Sequence, residues 1–342
     1  MDYLLLCLII IPHTMLTKSH FKAAWWLTNP HLQTIAAKWL RRKTKLTTLT
    51  QTLELPDGDF LDLAWTQLPD KKKSTPIIVI LHGLEGSVES HYVKGMLATI
   101  KQRGWIGLLM HFRGCSGRAN RLAAAYHSGD TRDITYLANL LNERYHSSPL
   151  FLLGFSLGGN VVSRYLSLHP KNPFTAASIV CAPLHLASCS ERINQGFSKV
   201  YQKYLVKMLK SSTQVKIKSK MMTNICPVAF SQIKTIRDFD HIITAPINGF
   251  TSADDYYQKA SGLFVLHNIK QPCLIIHAAD DPFLSHQAIT FDNTLPENVI
   301  FEASEQGGHV GFISGINPLN PIYWLEQRIP HFIAQHLSEL TK

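Results

Sequence analysis

From residue 76 onward, short apolar runs alternate along the chain with longer amphipathic stretches. Runs made almost wholly of apolar residues are typical of buried strands, and apolar residues spaced three or four positions apart are typical of helices. We predict strands at 76–82, 105–111, 150–155, 174–181, 272–277 and 298–303, and helices at 90–103, 131–145, 158–168 and 321–337. Strands this apolar are buried on both faces, as in a mostly parallel sheet flanked by helices. The pattern therefore predicts an α/β fold.

One interval, residues 184–262, interrupts this alternation. It is helical and lysine-rich and contains no convincing strand. Because long structureless loops are uncommon in compact domains, we expect a helical cap inserted over one edge of the sheet. A long surface excursion with no part in substrate handling is the alternative. We therefore divide the chain into an N-terminal apolar extension (1–28), a first core part (29–183), the cap insertion (184–262) and a second core part (263–342).

The N-terminal extension contains a ten-residue apolar run at residues 3–12. This run is too short to span a bilayer, and it lacks the basic start and the cleavage site of a secretory signal. Three interpretations stay open: a helix packed on the domain, an anchor in the membrane interface, or an upstream extension of the natural start.

Composition narrows the class of protein further. The chain has 342 residues, 45% of them apolar, which excludes a disordered chain. Its net charge of +10 is spread out and is accompanied by no nucleic-acid motif, so we expect no nucleic-acid partner. Six widely spaced cysteines without a C-x-x-C pair favour a reducing compartment. We predict a cytoplasmic location, with peripheral contact at the inner face of the membrane as an alternative.

The segment Gly154-Phe155-Ser156-Leu157-Gly158 follows a predicted strand and opens a predicted helix. A sharp strand-to-helix turn lifts a serine hydroxyl above the sheet, and flanking glycines leave room for the crowded backbone. The helix N-terminus also favours negative charge that develops there. Although the five-residue pattern alone is weak, its context predicts that Ser156 is a nucleophile and not merely a helix cap.

A serine nucleophile needs an oriented base, and in folds with this turn the acid and the base follow the serine in that order. Asp280 and Asp281 come directly after the strand at 272–277, where a carboxylate points into the ligand crevice. We assign the role of acid to Asp281, with Asp280 capping or hydrogen-bonding the loop instead. His309 lies in a glycine-rich loop after the last predicted strand and is the predicted general base.

Acyl transfer also requires hydrogen-bond donors for an oxyanion. The segment 82–86 (HGLEG) follows the first predicted strand, where a second donor loop is expected. We predict that the backbone N–H groups of Leu84 and Leu157 form this pair of donors. The sequence contains no zinc-type His/Cys cluster, no phosphate-binding loop and no dinucleotide fingerprint, so we predict no metal and no cofactor.

Several further motifs are specific enough to indicate a family, and they run from residue 29 nearly to the C-terminus. They are 29–34 (NPHLQT), 82–87 (HGLEGS), 112–117 (FRGCSG), 126–129 (YHSG), 154–160 (GFSLGGN), 238–240 (DFD), 256–257 (YY), 280–283 (DDPF) and 307–309 (GGH). In these motifs the chain resembles the YheT-like bacterial esterases of the α/β-hydrolase fold, a group related to animal ABHD-type lipases. The runs 29–34 and 112–117 have no assigned chemistry, and we predict that they are turns that pack the core and shape the pocket.

The resemblance implies an α/β-hydrolase fold, that is, a mostly parallel central sheet flanked by helices, with a helical cap insertion. By matching position it implies a triad of Ser156, Asp281 and His309. It also implies a serine carboxylic-ester hydrolase, with short- to medium-chain acyl esters or acylglycerols as substrates and a covalent acyl-enzyme as intermediate. Two alternatives stay open: an acyltransferase that uses the same triad, and a non-catalytic protein that binds membrane surfaces. The sequence leaves the oligomeric state open.

Overall fold

A large central sheet organises the protein, which we describe from a computed structural model over residues 16–41, 46–223, 225–288 and 295–340. Its strands are β1 (Leu16–Lys18), β2 (Leu49–Glu54), β3 (Phe60–Trp65), β4 (Ile77–Leu81), β5 (Ile106–Met110), β6 (Leu150–Phe155), β7 (Phe174–Val180), β8 (Cys273–Ala278) and β9 (Val299–Ser304). They lie in the order β1-β9-β8-β7-β6-β4-β5-β3-β2. Strand β3 is antiparallel to both of its neighbours, β2 and β5, and the other neighbouring pairs are parallel.

The helices that flank this sheet are α1 (Pro30–Leu40), α2 (His91–Gln102), α3 (Arg132–Arg144), α4 (Leu157–Leu168) and α11 (Leu325–Glu339). On β4, Ile77 and Val79 face the side covered by α3 and α4, whereas Ile78 faces the side covered by α2 and α11. Both faces of the central strands are therefore buried, as their unbroken apolar sequences predict. The predicted α/β-hydrolase fold is confirmed.

All six predicted strands are present, as β4 to β9, but β1, β2 and β3 were not predicted. Strand β2 lies at the edge of the sheet and exposes four of its six residues, so its sequence has no apolar run. Strand β3 is wholly buried, yet Asp62 interrupts its apolar pattern. The Asp62 carboxylate accepts hydrogen bonds from Ser116 and Arg118, a pairing that depends on residues more than fifty positions away.

Between β7 and β8 the described residues contain only helices and the turns that join them. These helices are α5 (Leu186–Arg192), α6 (Ser198–Lys218), α7 (Pro227–Gln232), α8 (Ile236–Phe239), α9 (Ala245–Ile247) and α10 (Ala253–Ala260), with a π-helical turn at Asp240–Thr244 and a 3-10 helix at Leu263–Asn268. The longest, α6, packs its apolar face on α7 and α8 through residues such as Val206, Phe230 and Phe239. The limits of the predicted cap at residues 184 and 262 stay a prediction.

The run 29–34 was predicted to be a turn, and this prediction was wrong because the run opens α1. The Asn29 side chain accepts hydrogen bonds from the N–H groups of His31 and Leu32, which is the N-cap arrangement. Pro30 occupies the first helical position, where its missing N–H costs nothing. The second run, 112–117, forms a turn as predicted.

In the described part of the chain, no helix combines the length and the apolar character needed to cross a bilayer. The apolar run at residues 3–12 lies outside the described residues.

Candidate active site

Ser156 occupies the sharp turn between β6 and α4. Its backbone has a φ of +52° and a ψ of −121°, a conformation that non-glycine residues rarely adopt. A side chain on Gly154 would lie 2.4 Å from the carbonyl oxygen of Gly158, and a side chain on Gly158 would lie 2.5 Å from that of His82. Both glycines are therefore required because strand, turn and helix approach one another too closely for a Cβ atom.

His309 and Asp281, the other two predicted site residues, meet Ser156 at the carboxyl end of the sheet. The Asp281 carboxylate is 2.8 Å from His309 Nδ1, and His309 Nε2 is 2.9 Å from the Ser156 hydroxyl oxygen. Because an ionised carboxylate only accepts, the proton belongs on Nδ1, which leaves Nε2 to accept from the serine hydroxyl. The three side chains thus form one directed hydrogen-bond chain, although 125 residues separate Ser156 from Asp281 in the sequence.

The two neighbouring aspartates divide between two tasks. Asp281 also accepts a hydrogen bond of 2.8 Å from the Phe283 N–H, which fixes its second oxygen. The Phe283 ring stacks on the His309 imidazole with 4.1 Å between centroids. Asp280 instead accepts from the Gly308 N–H at 2.9 Å, so it ties the histidine loop to the end of β8. Burial raises the pKa of Asp280 above its usual value.

Helix α1 holds the histidine loop from the other side, which the sequence analysis missed. The His309 N–H donates to the Thr34 hydroxyl oxygen at 2.9 Å. The Gln33 side chain, fully buried, accepts from the Ile313 N–H and donates to the carbonyl oxygens of Ile313 and Leu27. These contacts give the unassigned run 29–34 a positioning role. The sequence holds no local pattern for it, because Thr34 and His309 are 275 residues apart.

Cys181 lies beneath the same loop, at the end of β7. Its sulfur accepts a hydrogen bond from the Val310 N–H at 3.4 Å, and its backbone has a φ of +49°. Burial raises the pKa of this thiol well above its usual range, so it stays protonated at neutral pH. Cys181, Asp281 and His309 are also the one group of three potential metal ligands found close together among the described residues. A metal there would displace the proton that joins His309 to Asp281.

The predicted oxyanion donors face the same cavity as Ser156. Leu84 and Leu157 both line this cavity, and no acceptor for the N–H of either residue is found within the described ranges. The loop that carries Leu84 is held on both sides, since Gly83 N–H donates to the Tyr92 hydroxyl and Glu85 N–H donates to the Tyr126 hydroxyl. Two free N–H groups on a fixed backbone are what an oxyanion requires.

A buried histidine and a serine of the helical insertion complete the support of this loop. His82 donates from Nδ1 to the Gly83 carbonyl oxygen, and its Nε2 accepts from the Phe112 N–H at 3.1 Å. Burial lowers the pKa of His82 to about 3, so the ring stays neutral and keeps both bonds. The Glu85 carboxylate accepts from Tyr126 and from Ser212 of α6, which links the loop to the helical insertion.

The cavity that contains Ser156 and His309 has a volume of about 540 Å³. Its walls are mostly apolar, and about half of its lining comes from the helical insertion. The insertion residues at the wall include Leu186, Val200, Tyr201, Tyr204, Ile236 and Tyr257. A second cavity of about 310 Å³ adjoins it and shares Leu84, Leu157, Asp240 and Tyr256 with the first. The two oxyanion candidates therefore stand between two compartments.

Two of the unassigned motifs meet at this boundary. Asp240, on the π-helical turn, accepts hydrogen bonds from the Tyr257 hydroxyl at 2.8 Å and the Thr244 hydroxyl at 2.7 Å. Burial raises the pKa of Asp240 to about 6. The Tyr256 hydroxyl accepts a hydrogen bond from the Ser128 N–H, and this contact fixes the motif at 126–129. These motifs thus hold the insertion against the core.

The motif at 112–117 is anchored by a buried ion-pair cluster. The Arg113 guanidinium makes two hydrogen bonds to Asp133, of 2.9 and 2.6 Å, and one of 2.6 Å to Asp57. Asp59, fully buried, lies 3.3 Å from the same guanidinium. Fork-shaped contacts of this kind fix a loop in orientation as well as in place.

Comparison with known proteins identifies relatives that match most of the chain. The profile of a family described as the alpha/beta hydrolase fold matches residues 76–316. The YheT protein of Escherichia coli strain K12, named as a candidate esterase, is 44% identical over 315 residues, which cover 91% of this chain and 92% of YheT. A monoacylglycerol lipase of Saccharomyces cerevisiae is 28% identical, over 78% of this chain and 60% of the lipase.

Solved structures show the same architecture. The esterase Pf2001 of Pyrococcus furiosus superposes with a TM-score of 0.54 at 15% sequence identity, over 86% of this chain and 93% of that one. At this identity the similarity supports the fold alone.

Proposed function

The chain belongs to the α/β-hydrolase fold family, and from that premise we propose that it is a serine hydrolase of carboxylic esters. The observation that carries the proposal is the continuous hydrogen-bond chain from Asp281 through His309 to Ser156, with links of 2.8 and 2.9 Å. A serine hydroxyl is a weak nucleophile unless an oriented base removes its proton, and this chain supplies both the base and its orientation.

In the proposed reaction, Ser156 attacks the ester carbonyl while His309 Nε2 takes the hydroxyl proton. Asp281 keeps the imidazole in the required tautomer and stabilises the imidazolium that forms. His309 then gives the proton to the departing alcohol, which leaves an acyl group on Ser156. Water enters, loses a proton to His309 and attacks the acyl-enzyme, and the carboxylic acid departs as Ser156 regains its proton.

The backbone N–H groups of Leu84 and Leu157 are the proposed donors to the oxyanion. Each such donor contributes about 3 kcal/mol to transition-state stabilisation in related chemistry. Their support is the absence of other acceptors for them in the described residues, together with the rigid loop around Leu84. No step of this mechanism requires a metal or a cofactor.

The proposed substrates are short- to medium-chain acyl esters, including acylglycerols. The mostly apolar cavity of about 540 Å³ suits an acyl chain, and the second compartment beyond Leu84 and Leu157 leaves room for the other half of the ester. The names of two relatives, an esterase and a monoacylglycerol lipase, agree with this class. We also propose that the insertion at 184–262 acts as the cap that shapes this cavity.

The decisive experiment compares the wild type with Ser156→Ala in hydrolysis of a p-nitrophenyl ester chain-length series and in labelling by a fluorophosphonate probe. We expect Ser156→Ala to lose the label and to lower kcat by about 10⁶-fold. Ser190→Ala is the matched control, because Ser190 lies on the wall of the same cavity. It should keep the label.

Three outcomes would contradict this function. Labelling that survives Ser156→Ala would place the reactive serine elsewhere. Preferential transfer of the acyl group to an added alcohol or thiol over water would identify an acyltransferase. A folded protein inert toward every ester and toward the probe would support a non-catalytic role.

A further inference from the structure

Two helices at the mouth of the Ser156 cavity expose large apolar side chains. On α1, Leu32, Ile35 and Trp39 are 53%, 36% and 55% exposed. On α6 and the residue before it, the same spacing recurs. Phe197, Val200 and Tyr204 are 53%, 53% and 55% exposed. A spacing of i, i+3, i+7 places each set on one stripe of its helix.

These two stripes border a single opening. Ile35 and Trp39 of α1 and Val200 and Tyr204 of α6 all line the cavity that contains Ser156. The helices also touch each other, since a hydrogen bond of 3.2 Å joins the Tyr201 hydroxyl to His31 Nδ1. The exposed apolar residues therefore form a rim around the opening and are not scattered over the surface.

Charge along the same helices has one sign. Helix α1 lies within residues 3–53 and α6 within residues 192–237, and the sequence of neither segment contains an aspartate or a glutamate. On α6, Lys199, Lys203 and Lys207 are exposed and follow one another at intervals of four. The helical period places them on a stripe next to Val200 and Tyr204. Lys38 of α1 lies 6.0 Å from the Tyr204 ring, so it extends the positive charge across the opening.

We propose that the exposed faces of α1 and α6 form a docking surface for anionic lipid bilayers, so that the Ser156 cavity opens toward the membrane. The apolar stripes would enter the boundary between head groups and acyl chains, and the lysines would contact anionic head groups. This inference goes beyond the proposed ester hydrolysis and does not depend on it, because binding to a bilayer requires no reaction.

The chemistry of this surface disfavours other occupants. A second copy of the chain would bring two acid-free, lysine-rich faces together, and like charges at close range repel. A nucleic acid would satisfy the lysines but would leave the apolar rim in water. An anionic bilayer matches both the charge and the apolar stripes.

The test measures sedimentation of the full chain with vesicles of phosphatidylcholine alone and with vesicles containing 30% phosphatidylglycerol. Ser156→Ala is used throughout, so that lipid cleavage does not change the vesicles. We expect binding only to the anionic vesicles, and weaker binding as salt rises. The combined substitutions Lys199→Glu, Lys203→Glu and Lys207→Glu should weaken partitioning by at least about 100-fold.

A matched control separates the surface from total charge. Lys71, Lys72 and Lys73 are exposed and precede the amino-terminal end of β4, opposite the strand ends at which Ser156 lies. Their joint replacement by Glu changes the net charge equally and should leave most of the binding intact. Leu32→Ser with Phe197→Ser tests the apolar part and should weaken binding by about tenfold. Leu168→Ser, at the far end of α4 and 50% exposed, should not.

Each α6 and α1 variant is also made with Ser156 intact and assayed on a soluble p-nitrophenyl ester, together with its melting temperature. Normal values in both assays show that the variant is folded, whichever way the vesicle result falls. Equal loss of binding in the Lys71, Lys72 and Lys73 variant and the α6 variant would overturn the proposal, as would wild-type binding no stronger to anionic than to neutral vesicles. An enzyme inactive on esters that still bound through α6 would refute the proposed function and leave this surface standing.

Discussion

At the scale of single residues, the geometry of the site depends on groups that are each held by several contacts. Ser156 is held in a strained backbone conformation by glycines that cannot be replaced without overlap. His309 is fixed by Asp281 at one nitrogen, by the stacked Phe283 ring on one face and by Thr34 at its backbone. Fixed geometry of this kind is what the proposed role of Ser156 as a nucleophile requires.

The division of labour between the two aspartates gives a direct prediction. Asp281→Asn places an amide against His309 Nδ1, which favours the wrong tautomer, and we expect kcat to fall by about 10⁴-fold. Asp280→Asn keeps an oxygen able to accept from the Gly308 N–H, so we expect kcat within about tenfold of the wild type. Steady-state kinetics on one soluble ester measures both. The reverse order of effects would move the role of acid to Asp280.

At the scale of elements, α1 acts as a brace for the histidine loop. The contact is close, because a side chain on Gly308 would lie 2.5 Å from the Pro30 carbonyl oxygen and one on Gly311 would lie 2.4 Å from that of Gln33. The helix begins at a well-formed N-cap, and its buried polar residue Gln33 satisfies backbone groups of the loop. The position of the loop that carries His309 therefore depends on where α1 begins.

Thr34 tests this brace because it contacts the backbone of His309 and leaves the three triad side chains unchanged. Thr34→Val keeps the shape of the side chain but removes the acceptor for the His309 N–H. We expect kcat about tenfold lower, KM within about twofold, and Thr34→Ser close to the wild type. Kinetics at several substrate concentrations separates kcat from KM. A change confined to the melting temperature would mean that Thr34 only stabilises the fold.

At the scale of the whole molecule, buried histidines set the response to acid. Burial lowers the pKa of His82 and His91 to about 3, and that of His127 and His277 to about 4. All four titrate above these values in the unfolded chain, which therefore binds more protons. The stability they contribute is present above pH 6.5 and is lost as the pH falls toward 4.

We therefore expect the free energy of unfolding to fall by about 1.4 kcal/mol per pH unit for each of these histidines near pH 5. The ring nitrogens of His277 have no hydrogen-bond partner in the described part of the chain, so this residue can be replaced without breaking a bond. His277→Leu removes one of these groups, so the fall in the free energy of unfolding near pH 5 should become smaller by about 1.4 kcal/mol per pH unit. Urea unfolding at pH 7, 6 and 5 measures it, with the exposed His146→Leu as control. Identical slopes in wild type and His277→Leu would contradict the assignment.

How much was predictable depends on the range of the interactions. Strands β4 to β9 and the turn at Ser156 are local patterns, in which neighbouring residues determine burial and backbone shape. The positions of Asp281 and His309 followed from their places at the ends of strands. The edge strand β2 carries no apolar run. Helix α1 was mistaken for a turn although its sequence holds helix signals, namely the Asn29-Pro30 start and the apolar spacing at residues 32, 35 and 39.

The sequence by itself determined the alternation of strands and helices and the serine turn, because each strand, helix or turn depends on a few consecutive residues. It also placed Ser156, Asp281 and His309 after three different strands, because each strand is itself a local pattern. Only the tertiary structure brought Asp281, which the sequence already favoured over Asp280, within hydrogen-bond distance of His309. It alone decided that Thr34 and Gln33 hold the histidine loop, and that α1 and α6 share one apolar, lysine-rich rim. These relations join residues up to 280 positions apart, and no local preference encodes a distance between segments until the sheet brings their ends together.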